Sequence, residues 1–274
     1  GLRFDPSEKL SFTGSFENGR IDDVTTGVFR RTAGSIGVGY VTEDVRIGSS
    51  VELRDEKGNG RDTQVWLLRN DFSYSVNPSW TALARLNLAM ADNENPSVRA
   101  AEFTEAMAGL AFRPVNNERF NALIRVNYFE DLGPAGQITG SGQTESPKQI
   151  STIGTIDLNY DLTDKLTIGA KYGYRNGKVS LGRDSDEFVS SDAHLVVIRA
   201  DYNVLKSWDV LVEGRALWVT QADDKRYGAL GAIYRHLGNN VKVGVGYSLS
   251  DFSDDLTDQS YSSHGPFLNI LGKF

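Results

Sequence analysis

The stretch WTALARLNLAM, residues 80–90, alternates between two kinds of side chain. Every even position from Trp80 to Met90 is apolar, whereas Arg85 and Asn87 stand at odd positions. Successive side chains of a β-strand point to opposite faces of the sheet. The stretch therefore predicts a strand with one apolar face and one polar face.

The same two-residue period recurs along the whole chain, and helical periodicity is nearly absent. Counting these runs predicts about fourteen strands, most of about 10–14 residues, which is longer than is usual in soluble proteins. Their boundaries carry an error of about two to four residues. The predicted spans are 8–18, 30–41, 45–55, 63–76, 80–91, 102–114, 119–130, 150–161, 166–175, 191–204, 208–220, 227–236, 240–251 and 264–274.

The connections between the runs alternate in length. Six are tight and rich in turn residues: VTEDV, VNPSW, VNNERF, DLTDK, VLKSW and HLGNN. The connections between them are longer and polar, the largest being 132–149, 176–191 and 251–263. This alternation predicts an up-and-down meander with all tight turns at one end.

The apolar and polar faces of the predicted strands indicate which solvent surrounds each side of the sheet. About fourteen strands are many for one open twisted sheet, and a closed barrel of this size has a lumen that polar side chains and water can fill. The apolar face then points outward, which is stable only in lipid, and closure removes the unpaired edges that a membrane does not tolerate. We therefore predict an all-β fold, a single antiparallel up-and-down transmembrane β-barrel of about fourteen strands, with twelve or sixteen as alternatives.

Composition supports this class and excludes others. We expect one domain over residues 1–274, with 1–7 as a periplasmic lead-in. No apolar run reaches the length of about 18 residues that a membrane-spanning helix needs, and no signal peptide opens the chain. The net charge of −7 argues against a nucleic-acid partner. The chain has no cysteine, only three histidines and no catalytic motif, so we expect neither an enzyme nor a cofactor.

Aromatic residues cluster beside the tight turns. Those at apolar-face positions predict an interfacial girdle of the kind that outer-membrane barrels carry. The alternative is that β-proteins are simply rich in aromatic residues. The predicted girdle is Tyr40, Tyr74, Trp80, Phe112, Phe120, Tyr160, Tyr202, Trp208, Tyr234 and Phe274.

On the girdle, the turn alternation and the last strand, the chain resembles Gram-negative outer-membrane β-barrel proteins. In GPFLNILGKF the apolar positions Leu268, Ile270, Gly272 and Phe274 resemble the C-terminal signal that the barrel-insertion machinery reads. The stretch KVGVGYSLSDF also resembles the barrel at the end of large multidomain surface proteins. The resemblance implies an outer-membrane location. An even strand count returns the chain to its start, so we expect both termini on the periplasmic, tight-turn side. Its implied partners are membrane lipid, lipopolysaccharide, the insertion machinery and a periplasmic or surface protein.

The polar face predicts a charged lumen. One interpretation is a net-basic pore that favours anions; the other is that the charges pair across strands and brace the lumen. The predicted lining residues are Arg31, Arg46, Arg69, Asp71, Arg85, Glu105, Arg125, Asp157, Lys171, Arg199, Asp201, Glu213, Arg215, Arg235 and Lys242.

Two function classes follow, and the sequence leaves both open. The first is a channel for small polar or anionic solutes, and the second is an anchor or translocation barrel without an open pore. A membrane-embedded hydrolase is disfavoured because no serine is placed with a histidine by spacing. The acidic loop holding Asp251, Asp254, Asp255 and Asp258 is interpreted as solvated, with a divalent-cation site as the alternative, because its spacing does not match an EF-hand.

Overall fold

The fold is seen in a computed structural model, which describes residues 1–23, 27–58, 61–94, 97–132, 148–180, 187–238, 240–250, 252, 256 and 263–272. Within these ranges the chain forms β-strands joined by turns, and it contains no helix long and apolar enough to cross a membrane. The strands are β1 Leu2–Ser7, β2 Leu10–Asp23, β3 Gly27–Val41, β4 Val45–Gly58, β5 Arg61–Asn77, β6 Trp80–Glu94, β7 Ser97–Phe112, β8 Phe120–Leu132, β9 Lys148–Thr163, β10 Leu166–Ser180, β11 Phe188–Ser190, β12 Ala193–Leu205, β13 Trp208–Val219, β14 Asp224–Leu237, β15 Val241–Ser250 and β16 Ser263–Gly272.

All the predicted strands are present, and the structure adds two. The fourteen runs correspond to β2–β10 and β12–β16. The additional strands are β1, which lies inside the predicted lead-in 1–7 and pairs with β2, and the three-residue β11, which pairs with β10. The described strand count is therefore sixteen, one of the two alternatives to fourteen.

The sheet is an antiparallel meander, as predicted. Apart from β11, each strand pairs with its neighbours in sequence, in the order β1 through β10 and then β12 through β16. No pairing of β16 with β1 or β2 occurs among the described residues. One edge of β2 is partly covered, because Leu2–Ser7 lies alongside Leu10–Gly14. Closure of the sheet into a cylinder remains a prediction.

The length alternation of the connections is weaker than predicted because the strands are longer than predicted. Strand β4 ends at Gly58 and β5 begins at Arg61, and β6 and β7 approach each other in the same way. Between consecutive strands of the meander as described, the longest connections span 133–147, 181–192, which contains β11, and 251–262. Since a transmembrane strand needs about 9–11 residues, strands of 14–17 residues extend beyond the apolar band at the long-connection end.

The two faces of the sheet differ as the sequence predicted. We call the face carrying Arg85 and Asp157 the inner face and the opposite face the outer face. Apolar side chains such as Ile36, Ile198 and Leu268 lie on the outer face with more than half of their surface exposed. An exposed face of this kind needs an apolar solvent, since an apolar surface this extensive is not stable in water.

The predicted face of β14 is wrong by one residue. In the register with β13, Tyr234 lies opposite Asp209 and Arg235 lies opposite Trp208. Directly paired residues share a face, so Tyr234 belongs to the inner face, where it is 9% exposed, and Arg235 belongs to the outer face. Tyr234 is therefore not part of the girdle, and Arg235 does not line the lumen.

A labelling experiment checks this correction. In the Ile233→Cys variant we expect the thiol to react with a membrane-embedded probe and to be shielded from a water-soluble maleimide. The thiol of the Tyr234→Cys variant should not react with the membrane-embedded probe, because position 234 lies on the inner face between β13 and β15. Labelling from the lipid in the Tyr234→Cys variant, with none in the Ile233→Cys variant, would restore the sequence prediction.

Candidate functional site: the inner face of the sheet

The inner face gathers the predicted lining residues, with Arg235 as the exception. The register aligns them in rows across neighbouring strands: Asp71 lies opposite Arg85, Glu105 opposite Asn87, and Asp157 opposite Lys171. Each row forms because these residues occupy the polar positions of paired strands. The inner face is thus a largely polar wall, in which apolar side chains such as Phe103 and Phe129 also occur.

Most of the charges on this wall are paired. Carboxylates accept from the guanidinium groups of Arg31, Arg85 and Arg125 at 2.8–3.3 Å. The amide of Asn87 donates to Glu105 at 2.8 Å. The ion pairs of the inner face among the described residues are Arg31–Glu56, Arg54–Glu52, Arg85–Asp71, Arg125–Asp157, Arg199–Asp201, Arg215–Glu213, Arg226–Asp224 and the contacts of Asp209 with Lys242 and His236.

Two predicted lining residues differ from the rest. Arg46 and Arg69 make no ion pair with any described residue. They lie on β4 and β5, where Arg69 faces Ser50 and Arg46 faces Ser73. These two guanidinium groups of β4 and β5 therefore lack a carboxylate partner among the described residues, whereas Arg125, Arg199 and Arg215 of β8, β12 and β13 each have one.

A recess interrupts the wall between β9 and β13. Its volume is about 160 Å³, and its polar lining comes from Asp157, Asn159, Lys171, Arg199 and Glu213. Gly169 makes the space, because a side chain there would come within 2.9 Å of the Asn159 amide oxygen. A guanidinium nitrogen of Arg199 donates to that same oxygen at 3.2 Å.

An apolar cluster covers part of the inner face toward the long connections. Phe252 and Leu256, each 1% exposed, pack against Ile153, Leu195 and Leu217 of the strands. The site is shaped for them: a side chain on Gly173 would come within 3.1 Å of Leu256. The backbone oxygen of Phe252 accepts from Ser250 at 2.9 Å and from Arg215 at 3.4 Å.

A second polar cluster lies at the tight-turn end. Asp209 accepts from Lys242 at 2.5 Å and from the His236 imidazole at 2.6 Å. The Lys242 ammonium also sits 4.6 Å from the centre of the Tyr234 ring. That ring lies over Gly244, where a side chain would come within 2.2 Å of it, so no larger residue fits there without displacing Tyr234.

Some girdle residues on the outer face pack their aromatic rings against one another across neighbouring strands. Trp80 and Phe112 have ring centres 4.4 Å apart, and Phe112 and Phe120 have theirs 6.1 Å apart. Arg235 lies over Trp208 at 5.4 Å. The outer-face girdle residues in the structure are Tyr40, Tyr74, Trp80, Phe112, Phe120, Tyr160, Tyr202 and Trp208.

The described part of the last strand supports the predicted alternation. Leu268 and Ile270 are each 65% exposed on the outer face. Phe274 lies outside the described residues, as do Asp251, Asp254, Asp255 and Asp258. The described residues contain no group of three or more side chains that could hold a metal ion.

The sequence reasoning missed three features of this face: the anchors Phe252 and Leu256, the Asp209–His236–Lys242 cluster and the recess at Gly169. A signal for the first was present. Leu195 and Leu217 are apolar residues at inner-face positions of β12 and β13, which a uniformly polar lumen does not explain.

Comparison with known proteins finds similar folds among solved structures. No protein-family model matches the chain, and no curated protein is similar to it in sequence. Among solved structures, the alcaligin outer membrane receptor FauA from Bordetella pertussis superposes with a TM-score of 0.69 at 10% identity, covering 99% of this chain and 55% of that one. The siderophore receptor PirA from Pseudomonas aeruginosa gives 0.63 at 9% identity, covering 89% and 46%.

A channel protein of about the same length as this chain also superposes on it along nearly its whole length. The outer membrane channel DcaP of Acinetobacter baumannii gives a TM-score of 0.51 at 11% identity, covering 97% of this chain and 98% of that one. The chain spans about half the length of the receptors it matches. The antiparallel meander, the apolar outer face and these superpositions together show that the chain has the fold of Gram-negative outer-membrane β-barrel proteins.

Proposed function

We propose that this chain is an outer-membrane barrel that forms a channel for small polar or anionic solutes. The observation that carries the proposal is the division of faces: paired charges and polar groups line one side of the sheet, and apolar side chains cover the other. An apolar outer face requires lipid, and a charged inner face requires water. The tight turns and the end of β16 lie on the periplasmic side, whereas β1 folds back along β2 from the tight-turn end as far as Gly14. The surrounding lipid and lipopolysaccharide are the partners.

The ion pairs support both interpretations of the lining. Bracing accounts for Arg125, Arg199 and Arg215, because each of them has a carboxylate partner. The uncompensated Arg46 and Arg69 support a mild preference for anions, since unpaired charge on a pore wall attracts counter-ions. We assign the selectivity to these two residues.

Planar-bilayer recordings test the channel and its selectivity. Under a salt gradient we expect a steady conductance whose reversal potential shows mild anion preference. The double substitution Arg46→Gln and Arg69→Gln should remove that preference, because it deletes the uncompensated charge. Arg235→Gln is the matched control: it removes one arginine from the outer face and should leave the reversal potential unchanged. Clear cation selectivity of the unmodified protein would refute the proposal.

The second candidate is an anchor or translocation barrel without an open pore. The packing of Phe252 and Leu256 on the inner face favours it, because these side chains occupy space that an open lumen would leave to water. Folded protein that inserts into bilayers and remains electrically silent would support this candidate over the channel.

A further inference from the structure

The outer face is mostly apolar and aromatic, but it also carries a row of three cations near one end of the sheet. Arg20, Arg30 and Lys57 lie directly opposite one another on β2, β3 and β4. Their positions in the alternation place them on the same side as Phe16 and Ile36, and all three are exposed. Like charges directly opposite on neighbouring strands destabilise a sheet.

The two arginines have no ion-pair partner among the described residues. Lys57 approaches Asp55 at 3.5 Å and Asp62 at 3.9 Å. No carboxylate of the described part approaches Arg20 or Arg30 in this way. Two facing guanidinium groups therefore remain uncompensated on one side of the sheet.

The row has a defined height on the outer face. Below it, polar residues Asn18, Thr32 and Asp55 form the next row. The row below that contains Phe16 and Trp66 and closes the apolar band. Arg20 follows Phe16 by four residues, which is about 13 Å along a strand and about 10 Å along the membrane normal at the usual tilt. The cations thus lie at the level of lipid headgroups, at the end opposite the tight turns.

We propose that Arg20 and Arg30, with Lys57, bind a phosphate group of an anionic glycolipid in the outer leaflet. This assignment rests on the proposed outer-membrane location. A phosphate dianion accepts charge-assisted hydrogen bonds from guanidinium forks and cancels the repulsion between them. A glycolipid phosphate also arrives at the right depth, because its acyl chains lie against the apolar band that ends at Phe16 and Trp66. The row is on the outer face, so the site is separate from the channel lining.

The test uses the full chain, folded in detergent and examined by native mass spectrometry with bisphosphorylated lipid A. We expect the unmodified protein to retain this lipid and not the dephosphorylated form with the same acyl chains. The double substitution Arg20→Gln and Arg30→Gln should lower the retained fraction at least about tenfold, since two charge-assisted contacts are lost. Lys225→Gln is the control: Lys225 is a cation on the outer face at the same end, but it faces Trp218 and no second cation.

Folding is checked by the thermal midpoint in lipid-free detergent. There the double variant should be as stable as the unmodified protein or more stable, because it removes facing charges of like sign. Adding bisphosphorylated lipid A should raise the midpoint of the unmodified protein and not that of the variant. A variant that is less stable without lipid would contradict the repulsion argument.

Three results would overturn the assignment. They are equal retention by the unmodified protein and the double variant, equal retention of the dephosphorylated lipid, and displacement of the lipid by millimolar inorganic phosphate, which would show that the site takes free phosphate. Conductance distinguishes this failure from failure of the proposed function. In bilayers of neutral lipid the double variant should conduct as the unmodified protein does, whether or not the glycolipid site exists.

Discussion

Replacing Phe252 with alanine should lower the free energy of unfolding by about 3–5 kcal/mol, the usual cost of removing a buried phenylalanine. Its side chain is 1% exposed and packs with Leu256 against Ile153, Leu195 and Leu217. Removal leaves a cavity in the one extended apolar cluster of the inner face among the described residues. Urea unfolding in detergent, followed by tryptophan fluorescence, measures the loss.

Phe16→Ala is the matched control for this substitution. Phe16 is 73% exposed on the outer face, so in detergent it loses few protein contacts when truncated. We expect its unfolding free energy to fall by less than about 1.5 kcal/mol. Equal losses for the two variants would show that Phe252 is not packed as the structure has it.

The Phe252→Ala variant also tests whether solutes pass beside this cluster in the proposed channel. Phe252 and Leu256 cover apolar residues of the inner face beside Arg215, so their truncation widens the space there. We expect the single-channel conductance of Phe252→Ala to exceed that of the unmodified protein. An unchanged conductance would place this cluster away from the solute path, and the channel proposal would then rest on the other half of the inner face.

The strands were predictable because nearly every one carries a complete apolar face. The two that were missed lack this signal. Strand β1 contains Pro6 and only two large apolar residues, Leu2 and Phe4. Strand β11 has only three residues and lies inside a polar connection. In β14 both alternating sets contain apolar residues, with Leu230 and Tyr234 in one and Tyr227 and Ile233 in the other. Alternation cannot choose between such sets, and the register with β13 decides the face.

The composition of the inner face was predictable, but its partners were not. Alternation places Arg85, Arg125 and Arg199 on that face, yet it carries no information on which carboxylate each one meets. That depends on register and on side-chain reach: Arg85 pairs across strands, whereas Arg199 pairs two residues along its own strand. The connection that contains Phe252 and Leu256 has no period that would say which side of the sheet it covers, so its only sequence signal was indirect, in the apolar inner-face residues Leu195 and Leu217.

The pairing that matters most for the wall is Arg215 with Glu213, because it is the most buried ion pair described on the inner face. Their side chains are 12% and 10% exposed, and Arg215 also donates to the backbone oxygen of Phe252. Removing one partner of a buried pair leaves an uncompensated charge and costs about 3–5 kcal/mol. We therefore expect Glu213→Gln to lower the unfolding free energy by an amount in that range.

The chain supplies its own control for Glu213→Gln. Glu52 and Arg54 form an ion pair with the same two-residue spacing on the inner face of β4, at 2.8 Å, but their side chains are about three times more exposed. Water screens that pair, so Glu52→Gln should cost less than about 1 kcal/mol. If both pairs line a water-filled lumen alike, the two losses will be equal and small. A large loss at Glu213 alone shows that the wall beneath Phe252 is dry, and that the polar lining does not conduct over its whole width.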